Sequence, residues 1–438
     1  MTPPTVLFSS RPDWQDGVKE TLAWLTNVIT SDNDTEQRIS LRGKPRRTIA
    51  FTAKGSTQGV PATVRESALL DGLIWGQQPN VIGCPLWQDG VQLASTASIG
   101  ATSVTVVNGS DGGLVGREFV SGGYMALWSD PFTWEILTVA SGSANPTLNC
   151  SATTKAWPAG ATAVPVVPAT LAPQLRVRRP GGNISSVAVE FSCDVLADTA
   201  MAVATNPGAG AGVTPWPPVI NPAYASSPFL DTMRAFRTFD PVTQEYDLRR
   251  SMLLEDSGTG VFGYYTAGAS PIASRNFRLK LLSRPLISLF KGILLEVCGR
   301  MYPFWTPSRQ TDLVLASPAL STDTTLTIQS CGYTENVFPT GPARHYLCVL
   351  DPAISIDGLT VTGAVDNGNG TETLTLAGPV GAALPVGTEI DYLLLVRLAS
   401  DAVTIAYKTS TVADVVLPVA ELPGETPAFA SFAALGPV

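Results

Sequence analysis

A mainly β fold with a few short helices, laid out twice in tandem, is what this sequence predicts. Three observations carry it. Gly (39) and Pro (35) are frequent, and Thr, Ser, Val and Ala dominate what remains, a mix suited to many short strands joined by turns. Between residues 95 and 170 the apolar runs SVTVV, YMALWS, WEILTVA, TLNCSA and AVPVV are punctuated by Asn108-Gly109, Asp111-Gly112-Gly113 and Pro158-Ala159-Gly160. The chain also nearly repeats one stretch: QQPNVIGCPLWQDG at 77–90 and EVCGRMYPFWTPSR at 296–309, each after a short apolar helix-like segment.

Taken in order, residues 11–30 place Val18, Leu22, Leu25, Val28 and Ile29 at spacings of three and four, which predicts a helix. Asp13 and Asp16 near its start suit the helix dipole, and Ser31-Asp32-Asn33-Asp34 ends it. A basic loop of Arg42, Lys44, Arg46 and Arg47 leads into a strand at Thr48–Thr52. A helix follows over 65–76. The strand run at 95–170 comes next, and then a hairpin bends at Pro180-Gly181-Gly182-Asn183 with Val187, Val189, Phe191 and Cys193 on one face. Residues 202–230 hold aperiodic Gly and Pro and read as a linker.

After the linker the order restarts. DPVTQEYDLRRSMLLEDSGTG stands where the first helix stood, Phe277 falls 228 positions after Ile49, and Trp305 falls 218 after Trp87. Tyr346 falls 222 after Tyr124, and Gly387 falls 227 after Gly160. Each copy therefore pairs an early strand with closing strands in one sheet, and a small β insert, barrel or sandwich, buds off between them. The expected boundaries are 1–94 plus 171–201 for the first unit and 95–170 for its insert. The second unit takes 231–315 plus 399–420, its insert 316–398, and the tail 421–438.

Composition narrows the function. With 45% hydrophobic and 15% charged residues the chain is not disordered. A net charge of −8 argues against a protein that grips nucleic acid through its phosphates. Cys84, Cys150, Cys193, Cys298, Cys331 and Cys348 form no CxxC pair and read as buried thiols. The N-terminal residues lack a charged start with an apolar core, and no run of about 18 apolar residues exists. A soluble chain made in a cytoplasm, with no membrane span, is expected.

The sequence carries few of the residue patterns that chemistry needs. GxSxG, HExxH and GxxxxGK[ST] are all absent. The single histidine, His345, reads as structural, since the first copy has Gly123 at its place. One His with scattered Cys builds no familiar zinc site, and DNGNGTETL at 366–374 lacks calcium-loop spacing and reads as a hairpin turn. The tryptophans could stack on sugars but recur inside apolar strands. No catalytic, metal or cofactor residue is expected, and the chain is read as a non-enzyme. Arg42, Lys44, Arg46 and Arg47, with Arg249 and Arg250 of the second half, are candidate subunit-interface residues.

RPDWQDGVKETLAWLTNVIT…EQRISLRGKPRR, with the strand, helix and proline-aromatic stretch that follow, and YPFWTPSRQTDLVLAS in the second copy, resembles tail-tip proteins of long-tailed bacteriophages, of the distal tail and baseplate hub kind. The resemblance implies tail-tube-like β-sandwiches with a flanking helix, arranged as a homo-oligomeric ring, a trimer with pseudo-sixfold symmetry or a hexamer. It also implies a place at the virion tail tip, with tail tube, hub, fibre and tape-measure proteins as neighbours and DNA only as passing cargo. A β-rich carbohydrate- or receptor-binding virion module is the alternative.

Overall fold

One long strand in each half organises the sheet, and both are half-apolar by alternation. The computed structural model describes residues 4–31, 35–56, 66–198 and 245–425, apart from a few residues within them, and Arg237–Thr238. The linker expected at 202–230 and residues 426–438 lie outside the described residues. The chain is mainly β. Among the described residues no helix is long and apolar enough to cross a membrane.

The first half opens with β1 (Val18–Ala23), the hairpin β2 (Thr26–Thr30) and β3 (Glu36–Ser40), and the long β4 (Arg46–Ser56). The helix expected over 11–30 is therefore a correction: these residues form strands. In β1 the inward positions are Val18, Glu20 and Leu22, a period of two that a central glutamate disguises. Leu25 and Ile29, counted into a helical stripe, are exposed on the hairpin. Helix α1 (Glu66–Gln77) stands where a helix is expected and buries Leu70, Leu73 and Ile74. Then come β5 (Val81–Pro85), β6 (Val91–Gln92), β7 (Ser103–Thr105), β8 (Tyr124–Asp130), β9 (Thr133–Thr138) and β10 (Thr147–Asn149). The half closes with β11 (Thr162–Leu171), β12 (Val177–Gly181) and β13 (Ile184–Cys193).

The second half runs through β14 (Arg237–Thr238), β15 (Tyr246–Arg249), the hairpin β16 (Met252–Asp256) and β17 (Phe262–Thr266), and the long β18 (Ile272–Leu281). Helix α2 (Arg284–Val297) follows, with Ile287, Phe290, Leu294 and Val297 buried at spacings of three and four. Ser283 caps its start by accepting from the Leu286 amide at 3.4 Å, and a proline occupies the first turn. Ser283→Ala is expected to cost about 1 kcal/mol in denaturant unfolding. After it lie β19 (Phe304–Pro307), β20 (Leu313–Val314), β21 (Thr325–Gln329), β22 (Tyr346–Asp351), β23 (Ile354–Asp366) and β24 (Thr371–Leu376). The last strands are β25 (Glu389–Leu398), β26 (Ala402–Tyr407) and β27 (Ala413–Glu421).

The early and closing strands do pair, β4 with β13 and β18 with β27, both antiparallel. The segments between them have hydrophobic cores of their own. Leu93, Val104, Leu127, Leu137, Leu148 and Trp157 belong to one, and Leu315, Leu326, Val349, Val361, Leu374 and Ile390 to the other. The boundaries are less sharp than expected, because β11 serves both parts. Its Thr162–Val166 pair with β8, Val166–Thr170 with β5, and Ala169–Leu171 with β13. A third core joins the halves, uniting Leu7, Phe8, Leu22, Ile49 and Phe191 with Phe277, Phe290, Ile405 and Val419. β27 runs on through Glu421, one residue into the expected tail.

Antiparallel pairing gives one continuous order, β12-β13-β4-β1-β26-β27-β18-β15. One face of this sheet carries the core and the buried faces of the helices. The other face mixes small polar residues (Thr21, Thr48, Thr52, Ser192, Thr404, Ser274 and Asn276) with charged ones, among them Lys19, Arg46, Lys54, Glu190, Arg278 and Lys280.

Candidate functional site

The two halves meet at β1, which lies between β4 of its own half and β26 of the other. Val18, Glu20 and Leu22 stand opposite Phe51, Ile49 and Arg47 on one side and Tyr407, Ile405 and Val403 on the other. On the outer face Thr21 and Thr404 share a hydrogen bond of 2.8 Å. Gly17 makes this approach possible: its φ is 73°, and a Cβ there would lie 2.2 Å from the Tyr407 carbonyl oxygen.

Under the junction lies a buried network of ion pairs and hydrogen bonds drawn from seven separate segments. Arg47 on β4 reaches Glu20 at 2.8 Å, Glu118 at 2.7 Å and Asp198 at 3.4 Å. Lys291 of α2 reaches Glu20 at 2.7 Å and also pairs with Glu118. The Tyr407 hydroxyl donates to Glu20 at 2.8 Å. Arg284, at the start of α2, pairs with Asp89 and donates to the Gly116 carbonyl at 2.8 Å. Two cations of the second half are thus held by acids of the first.

Burial disfavours the charged form of each group, and at Arg47, Lys291 and Glu118 the opposite charges around them outweigh it. Desolvation pulls Arg47 down, but Glu118, Glu20 and Asp198 together carry it well above the ordinary arginine value. Burial pushes Glu118 up, but Arg47 and Lys291 bring it down to about 2. Lys291, lowered by burial, is raised overall by Glu118 and Glu20. Such a network fixes geometry more than it adds stability, and removing one partner is costly.

The residues expected at a subunit interface separate into distinct groups. Arg47 is buried inside the chain, committed to Glu20, Glu118 and Asp198, and so does not share the loop's solvent-facing role. Arg42 donates to the Ala23 carbonyl at 3.1 Å, Lys44 is half-buried and Arg46 is exposed. Arg249 and Arg250 are exposed at the far end of the sheet, with four strands between β4 and β15. The loop and the second pair are therefore not brought together. Sequence reasoning missed Glu20, Glu118, Lys291 and Arg284. Glu20 alone left a signal, an acid at an inward place in an alternating run.

The sheet also ends in two open edges. Among the described residues β12 pairs only with β13, and β15 only with β18. Both present apolar side chains to solvent: Val177 is 39% exposed, Tyr246 47% and Leu248 59%. A row of free backbone donors and acceptors with apolar neighbours is a template for another strand.

Other candidates resolve into structure. His345 Nε2 lies 2.9 Å from the Phe338 carbonyl and its ring stacks on Phe338 at 4.6 Å. All six cysteines are free; Cys84, Cys150, Cys193 and Cys348 are buried, whereas Cys298 is half-buried and Cys331 exposed. Burial raises Cys84 and Cys193 above an ordinary thiol, which makes them poor nucleophiles. No cluster of three or more metal-binding side chains occurs among the described residues. The 366–374 stretch is a hairpin turn between β23 and β24.

Open clefts indent the surface formed by the described residues. A cleft lined by Arg11, Trp14, Trp87, Gln92 and Thr162 contains aromatics, but Trp87 is only 6% exposed. Its ring meets Trp128 edge-on at 5.6 Å, and Arg11 covers the Trp128 ring at 3.6 Å. Sugar stacking needs an open aromatic face, and in this cleft Trp14 alone is exposed.

No protein-family model matches the chain, and no curated protein is significantly similar to it.

Proposed function

We propose that this chain is a structural protein of a long-tailed phage tail tip, in which two like β units in tandem assemble with other copies into a ring around a DNA channel. Its role in this reading is mechanical rather than catalytic. The observation that carries it is a pairing pattern that occurs once in each half. Leu171, Phe191, Ile49 and Glu20 stand side by side across β11, β13, β4 and β1. Leu398, Val419, Arg275 and Tyr246 stand side by side across β25, β27, β18 and β15. The pairings Pro12–Ala53, Glu20–Ile49 to Ala23–Arg46 and the hairpin that begins at Thr26 recur at a constant shift of 226 positions, as Thr238–Leu279, Tyr246–Arg275 to Arg249–Ile272 and the hairpin that begins at Met252.

The pairing sharpens the match suggested by the residues. Phe51, rather than Ile49, takes the place of Phe277, and Gly83, rather than Trp87, takes the place of Trp305. Trp87 lies in a 3₁₀ turn beyond its strand, whereas Trp305 lies within one.

Two units joined edge to edge, with an edge unpaired among the described residues at each end, suit a ring better than a monomer. The polar and charged face of the sheet would then line the channel, and the segments with separate cores would face outward. A trimer would present six like units to a sixfold tube.

Mass photometry and negative-stain images of the purified full-length chain test this reading. The expected species has the mass of three 46.0 kDa chains and a central hole. A chain that stays monomeric at high concentration and does not join tail particles overturns it.

A further inference from the structure

The junction between β1 and β26 is the one place where the described chain joins an edge of one half to an edge of the other. Each partner has a counterpart at an open end of the sheet. Tyr246–Arg249 lie on β18 as Glu20–Ala23 lie on β4. Val177 lies opposite Val187 on β13, as Ile405 lies opposite Val415 on β27. We propose that β15 of one copy adds to the segment Gln174–Arg178 of the next, antiparallel, in the register of the internal junction. This inference rests on the ring reading and specifies its contact.

The internal junction pairs Glu20 with Ile405, Thr21 with Thr404 and Leu22 with Val403. Carried to the open edges, it sets Tyr246 opposite Val177, Asp247 opposite Arg176 and Leu248 opposite Leu175. One step back, where Lys19 faces Ala406, it sets Glu245 opposite Arg178. The apolar residues fall together on the core side, and both acids meet arginines on the other side.

Nothing in the construction of the register selects for that outcome. A shift by one residue would turn every side chain of β15 to the opposite face, and Asp247 would then oppose Leu175 or Val177. Glu245, Asp247, Arg176 and Arg178 are all exposed in the single chain. Tyr246, Leu248 and Val177 are exposed too, although their counterparts Glu20, Leu22 and Ile405 are fully buried in the junction. A second copy would cover them. The contact is head-to-tail, so it builds a closed ring when the rotation between copies closes.

The test uses the full chain with exposed Cys331 replaced by serine. Val177→Cys combined with Tyr246→Cys is expected to give disulfide-linked oligomers on mild oxidation. Val177→Cys with Asp247→Cys, one residue out of register, is expected to give none. Arg176→Glu alone and Asp247→Arg alone should each weaken assembly about fivefold per contact, and the double reversal should restore it. Melting curves matching the parent confirm that each variant is folded. Rings that form without the in-register cross-link, or without rescue by the double reversal, overturn the edge pairing and leave the ring reading standing. A parent chain that never assembles overturns both.

Discussion

Arg47→Met is expected to destabilise the protein by about 3–5 kcal/mol, the scale for removing one partner of a buried ion network. Glu20, Glu118 and Asp198 all depend on this guanidinium, and Lys291 can answer only the first two. Urea unfolding measures the loss. Arg47→Lys keeps the charge but cannot reach three carboxylates at once, so it should fall between the parent and the methionine variant. An Arg47→Met protein within about 1 kcal/mol of the parent would mean that the network is not a unit. The acid limb should respond as well. Glu118 is held at about 2 in the fold against 4.5 ordinarily. A depressed carboxylate contributes stability that is complete above its unfolded value and is lost as pH falls toward its folded value. The window is therefore pH 4.5 down to about 2.

Glu372→Ala should be comparably costly, about 3–5 kcal/mol, through unmade hydrogen bonds rather than unpaired charge. Its carboxylate is buried and accepts from the amides of Cys331, Gly332, Tyr333 and Thr334 at 2.9, 2.8, 3.2 and 2.6 Å. The hydroxyls of Ser330 and Thr334 add bonds of 3.0 and 2.7 Å. Burial pushes Glu372 up, but these donors hold it at about 2. Its contribution is likewise present above pH 4.5 and lost as the pH falls toward 2. Glu372→Gln should remove that pH dependence while keeping part of the stability. Hydrogen exchange at residues 331–334 checks the assignment: those amides should exchange faster in the alanine variant, and unchanged protection would refute the capping role.

The parts of the fold legible in the residues were those where local pattern and environment agree. Helix α2 has its cap, its proline and its apolar spacing, and the short strands around Tyr124 and Ile136 are apolar runs set between turns. The stretch at 11–30 misleads for a physical reason. Glu20 occupies a core-facing place because Arg47, Lys291 and Tyr407 neutralise it, and these partners lie at least 27 positions away. Leu25 and Ile29, meanwhile, are apolar but exposed. The basic loop misled in the same way: Arg46 and Arg47 are adjacent, yet alternation sends one to solvent and the other into the core. The match between halves was legible in order but not in register, since strands rich in Thr, Ala and Val align almost equally well two residues apart. Backbone pairing removes that freedom.

The junction has a consequence for the chain while it is being made. β1 leaves the ribosome about 380 residues before β26, which covers its edge. At about 5–20 residues per second, that edge stays bare for about 20–80 s. During this interval the strand best able to occupy it is one with the same complement, from a neighbouring nascent chain on the same message. Synthesis rate and spacing between ribosomes would then influence how much protein reaches the native pairing and how much is lost to exchanged or tangled chains.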